Sequence, residues 1–323
     1  MKIAIITDAT PPQVNGVVMT YENTVVELVN MGHSVMVIKG VECKKVPVIG
    51  YKEIKVAINP WKIKNHIDVA IENEFTIHIA TEGPLGLFAR LYLQYKKYPF
   101  TTCYHTKFPE FVAARSKLKA DWIYSYFRWF HSKSRCVMVP TNDMKTFLEN
   151  KGFANIKIWT RGVNSKQFYP ETETGKYIVC VSRVSKEKNL DAFCQLDYPH
   201  KVIVGDGPYL EELKKKYPDV IYDGKLTGNS LRRAYADAQC FVFPSKEDTF
   251  GIVLLEAIAC GTPIAAYPEP GPKEVVNEDN GQMSEDLQYA LEMALKKDRK
   301  KVYATSKKWT WRSATENFIK NLG

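Results

Sequence analysis

No window of the 323-residue sequence approaches eighteen consecutive apolar residues, so no segment reads as a membrane-spanning helix. The best candidate, IVLLEAIAC, carries Glu256 in its middle and stops at Gly261. The amino terminus MKIAIITDATPP offers one Lys and a short apolar run before Thr7 and Asp8, far short of a secretory leader. A cytoplasmic chain is therefore expected, with any membrane association peripheral at the cytoplasmic face. The seven cysteines are scattered and contain no CxxC pair, which excludes a disulfide framework and agrees with a reducing compartment. The six histidines form no HExxH, and no Asp-any-Asp triplet marks a metal-diphosphate site, so no metal is expected in the chemistry. GxGxxG is absent from the first crossover, and Walker A and GxSxG are absent altogether. These absences argue against dinucleotide binding, P-loop phosphotransfer and the α/β-hydrolase mechanism.

What is present is ordinary globular composition, 45% hydrophobic and 25% charged, in a length that suits two domains. The 45 Lys and Arg against 36 Asp and Glu give a net charge of +9, which favours an anionic partner without choosing among phosphorylated small molecules, nucleic acid and acidic lipid. A strand at 2–8, a helix to Met31 ended by Gly32, and the strand HSVMVIK make a β-α-β start. FTIHIAT, FTTCYH and CVMVP continue the series, and KYIVCVSRV, KVIVGDG, VIYDG, CFVFP and TPIAAY repeat it in the second half. Short apolar runs without alternation, separated by helix-period segments, predict parallel sheets covered by helices. The segment RGVNSKQFYPETETGK interrupts the pattern. The expected domains are thus 1–168 and 169–305, followed by a helix at 306–323 bearing Trp309, Trp311 and Phe318 that packs back across them.

Four groups of residues carry candidate chemistry. Asn15 and Gly16 precede the first helix, where backbone N–H groups suit either a phosphate or a plain helix entry. VSRVSKEKN at 181–189 sets Arg183, Lys186 and Lys188 against the single acid Glu187, as a diphosphate grip or a charged surface loop. FPSKEDTFGIVLLEAIACG places Asp248 in a loop and Glu256 in an apolar helix, where a carboxylate needs a partner. That partner is either ribose or a salt bridge, and Asp248 is either a ligand group or an N-cap. His105 follows a strand and is either a hydrogen-bonding group at a substrate or a satisfied core residue, and Glu82 in TEGPLG receives an acceptor hydroxyl or caps the next helix. A further stretch, 107–135, holds Lys107, Arg115, Lys117, Lys119, Arg128, Lys133 and Arg135 against Glu110 and Asp121, interleaved with Trp122, Tyr124, Tyr126, Phe127, Trp129 and Phe130. It reads as a surface for acidic lipid or as core aromatics with solvated charges.

In their order, PPQVNGVV, ATEGPLG, YHTKFPEF, VPTNDMKTFLENKG, TRGVNSKQFYP, VSRVSKEKN, VGDGP and FPSKEDTFGIVLLEAIACGTP cover almost the whole chain. Together they resemble the retaining GT-B glycosyltransferases of family 4, particularly bacterial glycolipid α-mannosyltransferases and their sulfoquinovosyl-transferring relatives. The family's acid-x7-acid pair appears with Asp248 in place of the more common Glu. The resemblance implies two Rossmann-like domains with an interdomain cleft and retaining, metal-independent transfer of a hexose from a nucleoside diphosphate to a lipid or saccharide hydroxyl. It places Asn15 and Gly16 near the donor phosphates, His105 near the reacting sugar, and Arg183 and Lys188 on the diphosphate. Asp248 would orient sugar hydroxyls beside the backbone of Phe250, Gly251 and Ile252. Glu256 would bind the ribose, and Gly205, Asp206 and Gly207 would lie near the nucleobase. TRGVN and DTFG look more like GDP-mannose users. A UDP-hexose enzyme, one acting on modified DNA bases, and an inactive module binding nucleotide sugars or polyanions stand as alternatives.

Overall fold

The computed structural model describes residues 1–11, 15–48, 51–105, 120–171 and 175–323. The chain forms two compact units, Met1–Thr160 joined by Ala314–Gly323, and Arg161–Ser313. The first contains β1 (Lys2–Ile6), α1 (Gly16–Asn30), β2 (Ser34–Ile38), β3 (Lys45–Val48), β4 (Tyr51–Ala57), α2 (Lys64–Glu72), β5 (Thr76–Ile79), α3 (Pro84–Tyr95), β6 (Phe100–Cys103), α4 (Ala120–His131), β7 (Val137–Val139), α5 (Asn142–Asn150) and β8 (Ile156–Ile158). Six of its strands form a parallel sheet ordered β2-β1-β5-β6-β7-β8, and β3 and β4 pair separately as an antiparallel hairpin.

The period of two along each strand divides the core between the sheet's faces. Ala4, Ile6, Ile77 and Ile79 join one cluster, while Ile3 and Ile5 join the other with Tyr21, Trp159 and Phe318. Alternation turns His78 toward the second group. Its ring stands 5.0 Å from Phe318 and 6.1 Å from Trp159, centroid to centroid. Asn15 starts α1 by accepting from Val17 and Val18 N–H, and Gly32 follows its end at φ +79°, a conformation that suits glycine.

The second unit contains β9 (Ile178–Val181), α6 (Leu190–Cys194), β10 (Lys201–Val204), α7 (Leu210–Lys216), β11 (Ile221–Gly224), α8 (Gly228–Ala236), β12 (Cys240–Phe243), α9 (Ile252–Ala259), β13 (Ile264–Ala266), α10 (Pro270–Val275), β14 (Gly281–Met283), α11 (Leu287–Ala294) and α12 (Arg299–Ser306). Its parallel sheet is ordered β11-β10-β9-β12-β13-β14. Every residue of β9 and β12 is buried, as expected of strands covered on both faces.

The division falls at Thr160/Arg161, eight residues before the expected 168/169. Val163 N–H donates to Trp309 O at 2.9 Å, and a Cβ on Gly162 would stand 2.3 Å from Trp311 N, so this segment is held by its own unit. The last helix, α13 (Trp311–Leu322), begins five residues later than the expected 306. Its end is held in the first unit by Phe318 on Trp159, at 4.7 Å between rings, and by Asn321 Nδ2 donating to Ile158 O at 2.7 Å. Among the described residues no helix is long and apolar enough to cross a membrane.

Candidate functional site

Strand order in the second unit reverses between β9 and β12, which lie side by side with Ile178 opposite Cys240 and Val179 opposite Phe241. Loops leaving the carboxyl ends of two such strands diverge to opposite sides and leave a crevice, the usual ligand position in open α/β sheets. The β9 exit carries Arg183 and Lys188, and the β12 exit carries Asp248. Lys188 Nζ donates to both Asp248 carboxylate oxygens, at 2.6 and 2.8 Å, with each side chain about one-quarter exposed at 23% and 25%. Two of the three ammonium protons are thereby used. Burial pushes the Asp248 pKa up, but the Lys188 charge and its hydrogen bond outweigh it and hold the carboxyl below its ordinary value. Asn189, at φ +53°, ties the same two loops by donating from Nδ2 to Pro244 O at 3.1 Å.

The glycines of VGDGP support the β9 exit through close packing. A Cβ on Gly205 would meet Ser182 O at 1.8 Å, and one on Gly207 would meet Val184 O at 2.3 Å. Val184 N–H donates to Asp206 O at 3.0 Å. This packing accounts for both glycines without a nucleobase; Asp206 is exposed beside them.

Helix α9 starts after Gly251, at φ +84°, with no side chain capping it. Asp248 is therefore not its N-cap, because Lys188 holds the carboxylate. The first N–H groups of the helix, beginning at Ile252, remain directed at the carboxyl end of the sheet. Phe250 is buried against Trp309, with ring centroids 5.9 Å apart. Glu256 is 3% exposed and forms no salt bridge among the described residues; Tyr235 hydroxyl donates to its Oε2 at 2.8 Å. Burial raises its pKa to about 7, partly offset by that hydrogen bond. The partner that Glu256 requires is supplied by the protein. Ser245, buried beside Asp248, has a hydroxyl outside good hydrogen-bond geometry with any described group, yet close enough to help keep the carboxyl ionised. Neither Tyr235 nor Ser245 carried a sequence signal.

In the first unit, Asn15 caps α1 through Val17 N and Val18 N, both at 3.0 Å, and Gly16 is the first helical residue. His105 lies two residues beyond β6, partly buried, with Nε2 3.1 Å from the Tyr21 hydroxyl and Nδ1 3.8 Å from Cys103 Sγ. Glu82 does not cap α3. Asp8, from the end of β1, accepts from Leu85 N at 3.0 Å and Gly86 N at 3.3 Å, while Glu82 Oε1 lies 3.4 Å from His131 Nε2. Burial raises the Asp8 pKa against these hydrogen bonds.

The aromatics of α4 divide between core and surface. Tyr124, Phe127 and Phe130 are buried, and Trp122, Tyr126 and Trp129 are 73%, 37% and 43% exposed. Spacings of three and four residues place each set along its own helical face. Lys107, Glu110, Arg115, Lys117 and Lys119 lie outside the described residues. Among the described residues no group of three or more His, Cys, Asp or Glu could hold a metal ion.

Two α/β units, each with one parallel sheet, define a GT-B fold. Sucrose-phosphate synthase from Thermosynechococcus elongatus superposes with a TM-score of 0.75 at 17% identity, over 99% of this chain and 97% of that one. The family model for Glycosyltransferase Family 4 matches residues 14–167, and that for Glycosyl transferases group 1 matches 175–296. The chain belongs to glycosyltransferase family 4. It is 25% identical to the sulfoquinovosyl transferase SQD2 of Arabidopsis thaliana over 86% of its own length and 62% of that protein's. It is 27% identical to a GDP-mannose-dependent alpha-mannosyltransferase of Corynebacterium glutamicum over 86% of its length and 75% of that protein's.

Proposed function

We propose that this chain transfers a hexose from a nucleoside diphosphate sugar to a lipid or saccharide hydroxyl, with retention at the anomeric carbon. The observation that carries the proposal is the Lys188–Asp248 pair at the switch point of the second sheet, beside the uncapped start of α9. One ammonium proton of Lys188 is left for a phosphate oxygen, and Arg183 adds a second cation from the same loop. In the reaction the bond from the anomeric carbon to the diphosphate oxygen breaks, and a bond to the acceptor oxygen forms on the same face. The departing diphosphate takes the acceptor's proton, so fixed positive charge at Arg183 and Lys188 stabilises the charge that develops there. Asp248 is assigned to the sugar hydroxyls, the Phe250–Ile252 backbone and the Asn15–Gly16 helix start to the phosphates, and His105 to the transferred sugar. Glu256 is assigned to the ribose, with Tyr235 orienting its carboxyl.

The donor is proposed as a class. GDP-mannose is favoured by TRGVN and DTFG alone, whereas the named relatives span mannosyl and sulfoquinovosyl transfer. A UDP-hexose stands beside it as the second donor reading. The exposed Trp122, Tyr126 and Trp129 favour a lipid acceptor at a membrane surface. A product-resolved screen of GDP- and UDP-sugars against lipid, saccharide and modified-DNA acceptors tests the proposal, with mass identifying the transferred unit and NMR the anomeric configuration. Retained stereochemistry on a lipid or saccharide is expected. Inversion would refute the mechanism, and folded protein that binds sugar nucleotides yet transfers nothing would favour a binding module.

A further inference from the structure

Behind His105 lies a buried chain of hydrogen bonds that no role assigned so far uses. Thr101 Oγ1 stands 2.8 Å from His78 Nδ1, His78 Nε2 stands 2.8 Å from the Tyr21 hydroxyl, and that hydroxyl stands 3.1 Å from His105 Nε2. Thr101 and His78 are fully enclosed, and Tyr21 is 4% exposed. The rings are held by one another: Tyr21 meets His105 edge-on at 5.4 Å, and Trp159 contacts Tyr21, His78 and His105.

We propose that Tyr21 and His78 are positioning residues that fix which nitrogen of His105 carries its proton. The direction follows from counting protons. The Thr101 hydroxyl has one to donate, and His78 Nδ1 is the acceptor it meets among the described residues. His78 then accepts at Nδ1 and carries its hydrogen on Nε2, which donates to the Tyr21 oxygen. Among the described residues His105 Nε2 is the acceptor that the Tyr21 proton meets, which leaves His105 protonated on Nδ1. The reverse direction makes His78 Nδ1 a donor and strands the Thr101 proton in the sheet interior, where an unmade hydrogen bond is costly. Burial agrees with a single proton on His78, since it pushes that pKa down to about 3. The consequence is a His105 with one tautomer, set through its partner's hydrogen bond, in place of a mixture. The use of that proton at the transferred sugar rests on the glycosyltransferase reading; the tautomer does not.

The test is a long-range 1H–15N correlation spectrum of the full chain with 15N-labelled histidine, with the two residues assigned from His78→Gln and His105→Gln. The expected pattern is Nδ1–H for His105 and Nε2–H for His78; Nε2–H on His105 in the unmodified protein overturns the proposal. Thr101→Val removes the hydroxyl that sets the direction and should change the patterns of both histidines. A change at His78 alone would overturn the coupling. Tyr21→Phe should release the His105 tautomer and lower kcat by about tenfold or more, with the donor KM within about twofold of its original value. Where that variant does not fold, the unmodified protein and Thr101→Val decide. An unchanged kcat in folded Tyr21→Phe overturns the positioning role while leaving the transferase reading in place. Absence of transfer by the unmodified protein refutes that reading, and the tautomers still decide the relay.

Discussion

Replacing Lys188 with Ala separates the two tasks this residue carries, because Asp248 loses its ion partner at the same time as the donor loses a cation. Exposed pairs contribute roughly 0.2–1 kcal/mol, and removing one partner of a fully buried pair costs about 3–5 kcal/mol. With side chains 23% and 25% exposed and two short hydrogen bonds, the Lys188–Asp248 pair belongs between these limits, at about 1–3 kcal/mol. For a unit of this size each kcal/mol lowers Tm by about 2–4 °C. The loss should depend on pH. With Lys188 present, the folded-state pKa of Asp248 is depressed, so its contribution is present above the unfolded value and disappears as pH falls through the folded one. Without Lys188, burial outweighs the small opposing effect of the Ser245 hydroxyl and favours the protonated form, so Lys188→Ala should be more destabilised at pH 7 than near pH 4. Asp248→Asn in the Lys188→Ala background should recover part of the loss at pH 7, and thermal unfolding of all four proteins gives the coupling as a double-mutant cycle. Transfer measured on the same samples should fall by about 10²–10³ in kcat for Lys188→Ala, the usual cost of one preorganised group at a developing anion. An unfolding midpoint equal to wild type at pH 7 would refute the ion-pair argument. Unchanged turnover would refute the role at the leaving group.

Glu256 sets an opposite pH trend. Its folded pKa of about 7 lies above the ordinary 4.5 because of burial, so its contribution is fully present below the unfolded pKa and is lost as pH rises through 7. The difference corresponds to about 3 kcal/mol at most, and Glu256→Gln, which still accepts from Tyr235, should remove this slope from denaturant unfolding between pH 5 and 8; an unaltered slope would exclude Glu256 as its source. Asp8→Ala removes the acceptor for Leu85 and Gly86 N–H and should destabilise the first unit by about 1–3 kcal/mol, measured by urea unfolding, whereas an effect below a few tenths would show that water caps α3 equally well. Gly207→Ala puts a methyl 2.3 Å from Val184 O and should displace the β9 exit loop, costing about 1–3 kcal/mol and weakening sugar-nucleotide binding by calorimetry. Wild-type affinity and stability in that variant would show that the loop yields without consequence.

The sheets were legible because their strands are covered on both faces and leave continuous apolar runs such as IVCV, KVIV and CFVF. The strands β8 and β14, IKI and GQM, were not, since three residues at a sheet edge carry too little pattern. The hairpin β3–β4 is not among the expected elements, and neither are the helices α2, α4, α6 and α10 to α12. The same distinction governs the site. Arg183, Lys188, Asp248 and Glu256 stood out because charge beside apolar runs is conspicuous along a chain. Their partners did not, because a partner is chosen by strand order. Lys188 reaches Asp248 across sixty positions only because β9 and β12 are neighbours. Asp8 caps a helix seventy-seven residues away because β1 and β5 are neighbours, whereas cap signals are sought within a few positions.

Tyr21, His78 and Thr101 extend that logic. Each read alone is a core residue on a helix or strand, and His78 is turned inward by simple alternation in FTIHIAT. Their chemical meaning arises from β5 and β6 being paired so that His78 stands directly opposite Thr101, with α1 laid across the same face. A one-residue slip in that pairing would turn His78 away from Tyr21 and break the circuit. Register in the first sheet therefore controls the orientation of a side chain beyond the end of the strand, and substitutions that loosen β5–β6 pairing should alter His105 before they unfold the unit.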